Sequence, residues 1–286
     1  MLSSRMLLPS QLLETVKEFA SGARTPAEPR NAATVVLMRP SDQGPMVYLL
    51  RRQTSMAFAG GMCVFPGGGV DERDFDASVG WAGPTPAEWA AGLGTDEATA
   101  GALICAAVRE TFEESGVLLA GTSADNVVSD TTGDDWEADR EALEGRSLAF
   151  TEFLSRRGLV LRSDLLGVWG GWCTPVFEPR RYRTWFFVAE LPIGQRTRDV
   201  STESDKVAWL PALGACGASD DGEILMMPPT YLTCLEVGQS ADPAAVMAAA
   251  EGRVVEMFTP EAIEEDEVFY LSRPEYLRPL IEARLS

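Results

Sequence analysis

The stretch R-E-T-F-E-E-S-G, Arg109 to Gly116, decides how this chain is read. It closes a proline-free run from Glu97 that is rich in Ala, Leu and Glu, and Gly116 stands where a helix would end on a left-handed residue. The expectation is a helix over Glu97–Ser115. At ~100° per residue, Glu110, Glu113 and Glu114 fall within roughly 100° of one another, with Ile104, Cys105, Val108 and Phe112 on the opposite side. One face packs while the other presents three carboxylates. Such charges repel, so burying them together is costly unless cations neutralise them, and hard oxygen ligands suit magnesium or manganese. Arg109 lies four residues before Glu113, the spacing of an ion pair that orients a carboxylate. A bare E-x-x-E-E is most often a solvated face. The five fixed letters of R-E-x-x-E-E-x-G, each at about 6% average usage, arise by chance ~2×10⁻⁴ times in a chain of this size. The match therefore asks for a chemical reason.

Upstream lies AFAGGMCVFPGGGVDE (57–72), whose glycines signal backbone that turns tightly or approaches something closely. Before it, ATVVLMRP and MVYLLRR read as strands; after the helix, LLGVWGGW, RTWFFVAEL and DKVAWLP read as strands rich in aromatic and branched residues. Further helices are expected at Ser10 to Phe19, in LAFTEFLSRRG up to Gly158, and from near Pro229, with a tail of helix and turn. Strands on both sides of a central helix imply one mixed α/β (α+β) domain spanning 1–286. Its core runs over about 31–240, with insertions at about 75–97 and 121–160 and a helical extension at about 241–286.

Composition removes whole classes of mechanism. Histidine is absent, which excludes Ser-His-Asp and Cys-His nucleophiles and His-ligated zinc and leaves acid, base and metal chemistry to Asp, Glu, Lys, Tyr or water. Five scattered cysteines form no close pair, so they read as reduced, packed thiols. A formal charge of -19 argues against nucleic-acid or anionic-membrane partners, while it attracts divalent cations. No run approaches the ~20 apolar residues of a membrane span, and the start meets Pro9 and then charge too soon for a secretory signal. A cytoplasmic protein is expected; a homodimer is compatible with the sequence, which leaves oligomeric state open.

R-E-T-F-E-E-S-G-V, preceded by F-P-G-G-G-V-D, resembles the Nudix box, G-x5-E-x7-R-E-U-x-E-E-x-G-U with U bulky and apolar. Arg109, Glu110, Glu113, Glu114, Gly116 and Val117 match it position by position. The resemblance implies an α/β/α sandwich around a mixed sheet and hydrolysis of a diphosphate joined to another moiety. The front half departs: counted from Gly68, the first glutamate position falls on Asp74, with 34 residues between it and Arg109 rather than seven, and Thr111 takes an apolar slot. A box split in this way is similar to the peroxisomal acyl-CoA diphosphatases of animals and their bacterial relatives. The segments YLLRR, GGWCTP, RRYRTWFFVAELP, ESDKVAW and LMMPPT resemble the same branch, and LLRR...GGMCVFPGG partly matches its CoA-recognition pattern, with Cys63 in an apolar slot.

The resemblance implies that Glu110, Glu113 and Glu114 hold Mg²⁺, with Mn²⁺ as substitute, against a CoA or acyl-CoA diphosphate. Arg109, Glu113 and Glu203 are the catalytic candidates, Glu203 as extra ligand or general base. Gly67 and Gly68 would bring backbone close to metal or phosphate. Arg52, Arg181 and Arg183 are the phosphate-binding candidates, because guanidinium forks suit phosphate; strand alternation lets only one of Arg51 and Arg52 face the site. Trp169, Trp172 and Trp185 either stack on an adenine or pack in the core, and the first insertion is either a lid or a loop that packs its own tryptophans. Two other readings stand beside this one: a Nudix pyrophosphatase acting on NADH, ADP-ribose or another nucleoside diphosphate derivative, and a non-catalytic Nudix-fold module. A phosphate-binding P-loop fails, since no Gly-Lys-Ser/Thr follows the glycines.

Overall fold

The computed structural model describes residues 6–8, 12–54, 59–265 and 268–285; Ser10 and Gln11 of the expected first helix and Ala57–Phe58 of the glycine loop lie outside them. Along the chain come β1 (Met6–Leu7), α1 (Leu13–Ala20), β2 (Arg30–Arg39), β3 (Met46–Arg52), β4 (Cys63–Val64), β5 (Gly67–Gly69), β6 (Trp81–Ala82), α2 (Pro86–Leu93) and α3 (Glu97–Ser115). Next are β7 (Ala120–Gly121), α4 (Asp134–Glu144), α5 (Phe150–Arg156), β8 (Val160–Arg162), β9 (Gly167–Cys173), β10 (Tyr182–Glu190) and β11 (Ser204–Pro211). The chain ends with α6 (Ala212–Asp220), α7 (Pro228–Val237), α8 (Pro243–Ala250), β12 (Met257–Phe258), β13 (Ala262–Glu265), β14 (Val268–Leu271) and α9 (Arg278–Leu285).

The main sheet runs β11-β3-β2-β10-β9-β12, with β4 beside β3 and β5 beside β2. It is mixed: β2 pairs parallel with β10 and antiparallel with β3 and β5. Its centre, β2, is buried on both faces, and the period of two sorts its side chains. Ala33, Val35 and Leu37 pack with Leu103, Ile104, Val108 and Phe112 of α3. Val36 and Met38 pack with Ala215, Tyr231 and Leu232 of α6 and α7. The result is the expected α/β/α sandwich.

The α3 helix has the bounds its composition implies. Asp96 caps its start by accepting from the Thr99 N–H at 2.9 Å. Gly116 ends it at φ +73°, its N–H donating to the Phe112 carbonyl at 2.9 Å. Thr111 fills its apolar slot fully buried because its hydroxyl donates back to the Ala107 carbonyl at 2.7 Å.

The first insertion packs onto the domain. Thr85 and Glu88 form a capping box for α2, Trp89 meets Phe187 edge-on at 6.2 Å, and the Leu93 carbonyl accepts from Trp185 Nε1 at 2.9 Å. The tail from Ser272 is helix and turn as expected, but the extension at about 241–286 is not helical throughout: strands lie between α8 and α9. Met257–Phe258 extends the main sheet beside Gly171 and Trp172, and β13 and β14 form a hairpin joined by β1. Strands of two to four residues are too short to show a period of two, and β12 and β1 find their partners far away in sequence. The free cysteines are all buried. Among the described residues, no helix is long and apolar enough to cross a membrane.

Candidate active site

The last turns of α3 lie against the glycine strand β5. The Gly67 N–H donates to Glu114 Oε2 at 2.7 Å. A β-carbon on Gly67 would stand 2.5 Å from the Ala33 carbonyl oxygen, and one on Gly68 2.5 Å from the Glu110 carboxylate, so glycine is what lets strand and carboxylates approach.

Arg109 ties this corner together. Its Nε and Nη2 donate to the two Asp74 oxygens at 2.9 Å each, Nη1 donates to Glu110 at 2.8 Å and Glu113 at 3.3 Å, and Nη2 also reaches the Gly69 carbonyl at 3.1 Å. Asp74 is held in turn by accepting from the Asp71 N–H at 2.8 Å. The long excursion between Asp74 and Arg109 therefore leaves the two in bidentate contact.

Burial and like charge act on the three glutamates together. Burial, then Glu110, push the Glu113 carboxyl up to about 7 against the pull of Arg109. Burial and Glu110 drive Glu114 well above its ordinary range, the Gly67 N–H opposing. Burial raises Glu110 too, and Arg109 resists. For Arg109, burial works against the charge, but Glu110, Asp74 and Glu113 keep it firmly protonated.

The second insertion braces the site. Arg140 of α4, only 2% exposed, donates from Nη1 to the Glu113 carbonyl at 2.8 Å and bonds Glu137 and Glu144 at 2.7 and 2.9 Å. Glu144 also accepts from the Thr202 N–H and hydroxyl at 2.8 Å each. That links α4 to the loop carrying Glu203. Glu203 pairs with Arg52 at 3.2 Å, and the buried Arg52 Nε has no hydrogen-bond partner. Arg51 turns the other way, into a bidentate pair with Asp205 at 2.6 and 2.7 Å.

Arg109, Glu110, Glu113, Glu114 and Glu203 share a cavity of about 100 Å³ with Asp71, Arg73, Leu143, Glu144, Arg146 and Ser201. Arg181 and Arg183 lie elsewhere. Arg181 bonds the Thr174 and Ala27 carbonyls at 3.0 and 2.9 Å, and Arg183 sits 3.6 Å from Glu28. Trp169, Trp172 and Trp185 are core residues, 5%, 6% and 3% exposed. Among the described residues, no three Asp, Glu or Cys side chains converge on one point as they stand. The box glutamates are instead spread over Arg109 and Gly67.

Sequence reasoning missed the Asp74 clamp, although counting from Gly68 had landed on that residue. It also missed Arg140, Glu144, Arg73 and Arg146. The ladder Glu137, Arg140, Glu144 reads as a surface ion-pair pattern, and only the fold shows that its arginine is buried.

Comparison with known proteins bears on this geometry. The family model for the NUDT19 Nudix domain matches residues 95–236. The chain is 28% identical over 257 residues to the acyl-coenzyme A diphosphatase NUDT19 of Gallus gallus, covering 71% of this chain and 66% of that one. It is 26% identical over 217 residues to the putative nudix hydrolase 7 of Caenorhabditis elegans, covering 74% and 62%. It thus spans just under two thirds of the length of these relatives. A solved structure, the NUDIX hydrolase from Alicyclobacillus acidocaldarius, is similar at TM-score 0.67 and 25% identity, covering 78% of this chain and 96% of that one.

Proposed function

The chain belongs to the Nudix hydrolases, and from that premise we propose that it is a divalent-cation-dependent diphosphatase of CoA or acyl-CoA. The products would be phosphopantetheine, or its acylated form, and adenosine 3′,5′-bisphosphate. The observation that carries the reading is one cavity lined by Glu110, Glu113 and Glu114, the first half-buried and the other two buried, all with raised proton affinity.

The donor set fits Mg²⁺ or Mn²⁺. It consists of hard carboxylate oxygens whose mutual repulsion a dication removes. Glu110, Glu113 and Glu114 would hold it, and when bound it supplies charge neutralisation on the diphosphate and a more acidic water. The chain's own groups do the rest. Asp74 fixes Arg109, and Arg109 holds Glu110 and Glu113 on the cavity side of the helix. Glu203 is the candidate to take a proton from the attacking water or to add a ligand. Arg52, with its free Nε, offers a donor to a phosphate oxygen. Gly67 and Gly68 set the depth of the pocket by permitting close approach. Arg183, whose partner Glu28 is 90% exposed, is open to the far end of a long substrate, with Arg181 fixing the turn beside it.

CoA enters through the split box and the resemblance to acyl-CoA diphosphatases. The test is a panel of CoA, acyl-CoAs, NADH, ADP-ribose and nucleotide sugars with Mg²⁺, read by mass spectrometry of the products. CoA should give the two fragments above. Faster cleavage of NADH or ADP-ribose would move the reading to a nucleotide-derivative pyrophosphatase, and a flat response would leave a binding module without chemistry.

A further inference from the structure

We propose that Arg146, supported by Arg73, recognises a phosphate monoester of the substrate beyond the scissile diphosphate, at the mouth of the active-site cavity. This rests on the diphosphatase reading and names the residues that would select a substrate carrying that further phosphate.

The backbone gives the first reason. Arg146 follows α4 and holds the left-handed conformation, φ +57°, that ends such a helix, its N–H donating to the Leu143 carbonyl at 2.8 Å. Glycine is the residue that fits there without strain. A glycine is available one position earlier, Gly145, at an ordinary φ of -75°. The chain thus places an arginine where its β-carbon is disfavoured, and the fold makes little use of the side chain. It is 78% exposed, and its ion pair is a long one, 4.0 Å to Asp71.

The second reason is charge. Arg109 also lines the cavity, but it is committed to Asp74, Glu110 and Glu113. Arg73 is held by Asp71 through Nε at 3.0 Å and Nη2 at 3.2 Å, and its Nη1 donates to the Arg146 carbonyl at 3.1 Å. Asp71 thereby orients Arg73, and Arg73 fixes the turn that projects Arg146. In a chain of net charge -19, an anion entering beside Glu110, Glu144 and Glu203 needs such a counter-charge. A guanidinium fork matches a phosphate monoester dianion.

The experiment is equilibrium binding of adenosine 3′,5′-bisphosphate and of AMP to the full chain with Mg²⁺, for wild type and Arg146→Gly. Wild type should prefer the bisphosphate by about tenfold or more, the scale of one charge-assisted phosphate contact. Arg146→Gly should lose that preference, keep its AMP affinity and melt no lower than wild type, because glycine suits this backbone. A preference that survives in Arg146→Gly, or is absent in wild type, overturns the proposal. So does a lowered melting temperature with both affinities lost, which would make Arg146 structural. The panel above separates the two readings: a wild-type protein that keeps the bisphosphate preference but cleaves nothing sinks the diphosphatase and not this recognition.

Discussion

At Gly68 the fold leaves room for a hydrogen and nothing larger. A β-carbon there would press on the Glu110 carboxylate at 2.5 Å and displace it from Arg109. Gly68→Ala should therefore fold, by circular dichroism, and lose about tenfold or more in kcat, as a misplaced catalytic group does. The glutamates carry a pH signature. Glu113 is raised from 4.5 to about 7, and Glu110 and Glu114 move in the same direction. A raised carboxyl contributes its stability fully below its unfolded value and loses it as pH climbs through the folded value. The melting temperature of the metal-free protein should thus fall between pH 5 and 8, less so in Glu113→Gln. Mg²⁺ should raise it more at pH 8 than at pH 5. A flat wild-type profile, or equal metal shifts at both pH values, would count against a shared carboxylate site. The glutamate face was legible because helical geometry turns spacing into direction; its burial was not, because the cover comes from α4, more than twenty residues downstream.

At the scale of elements, α3 was readable to the residue because its signals are local, a proline-free run of helix formers from Glu97 and Gly116 at the end; its Asp96 cap was seen only in the structure. The bracing of its C-terminal end is not local. Arg140 reaches across from the second insertion to the Glu113 carbonyl, satisfying a group that the helix end leaves free. Arg140→Met keeps the bulk and removes the donors, leaving the Glu113 carbonyl and one oxygen each of Glu137 and Glu144 without their partner. We expect a loss on the order of 3 kcal/mol in urea unfolding, with kcat falling alongside. Unchanged stability would show that the ladder is only a surface feature. The short strands β12, β13 and β14 escaped the sequence because two to four residues carry no period, whereas the ten residues of β2 do.

Across the whole molecule, one mixed α/β domain followed from strands flanking a central helix, and the sandwich followed from the resemblance that the box pattern carries. The first insertion was open between lid and packed loop, since two tryptophans between turn formers suit either. Trp89, 8% exposed against Phe187, decides for packing. Trp89→Ala should cost roughly 3–5 kcal/mol in denaturant unfolding, whereas a lid would show an altered KM at near-normal stability. The account as a whole stands on Glu110, Glu113 and Glu114 acting as one cation-holding group. Divalent-cation-dependent turnover of the best panel substrate by Glu113→Gln and Glu114→Gln tests this most directly. Both variants should remain folded and lose at least about 100-fold in kcat, the scale of one lost acid-base or charge-stabilising group; near wild-type turnover in both would contradict it.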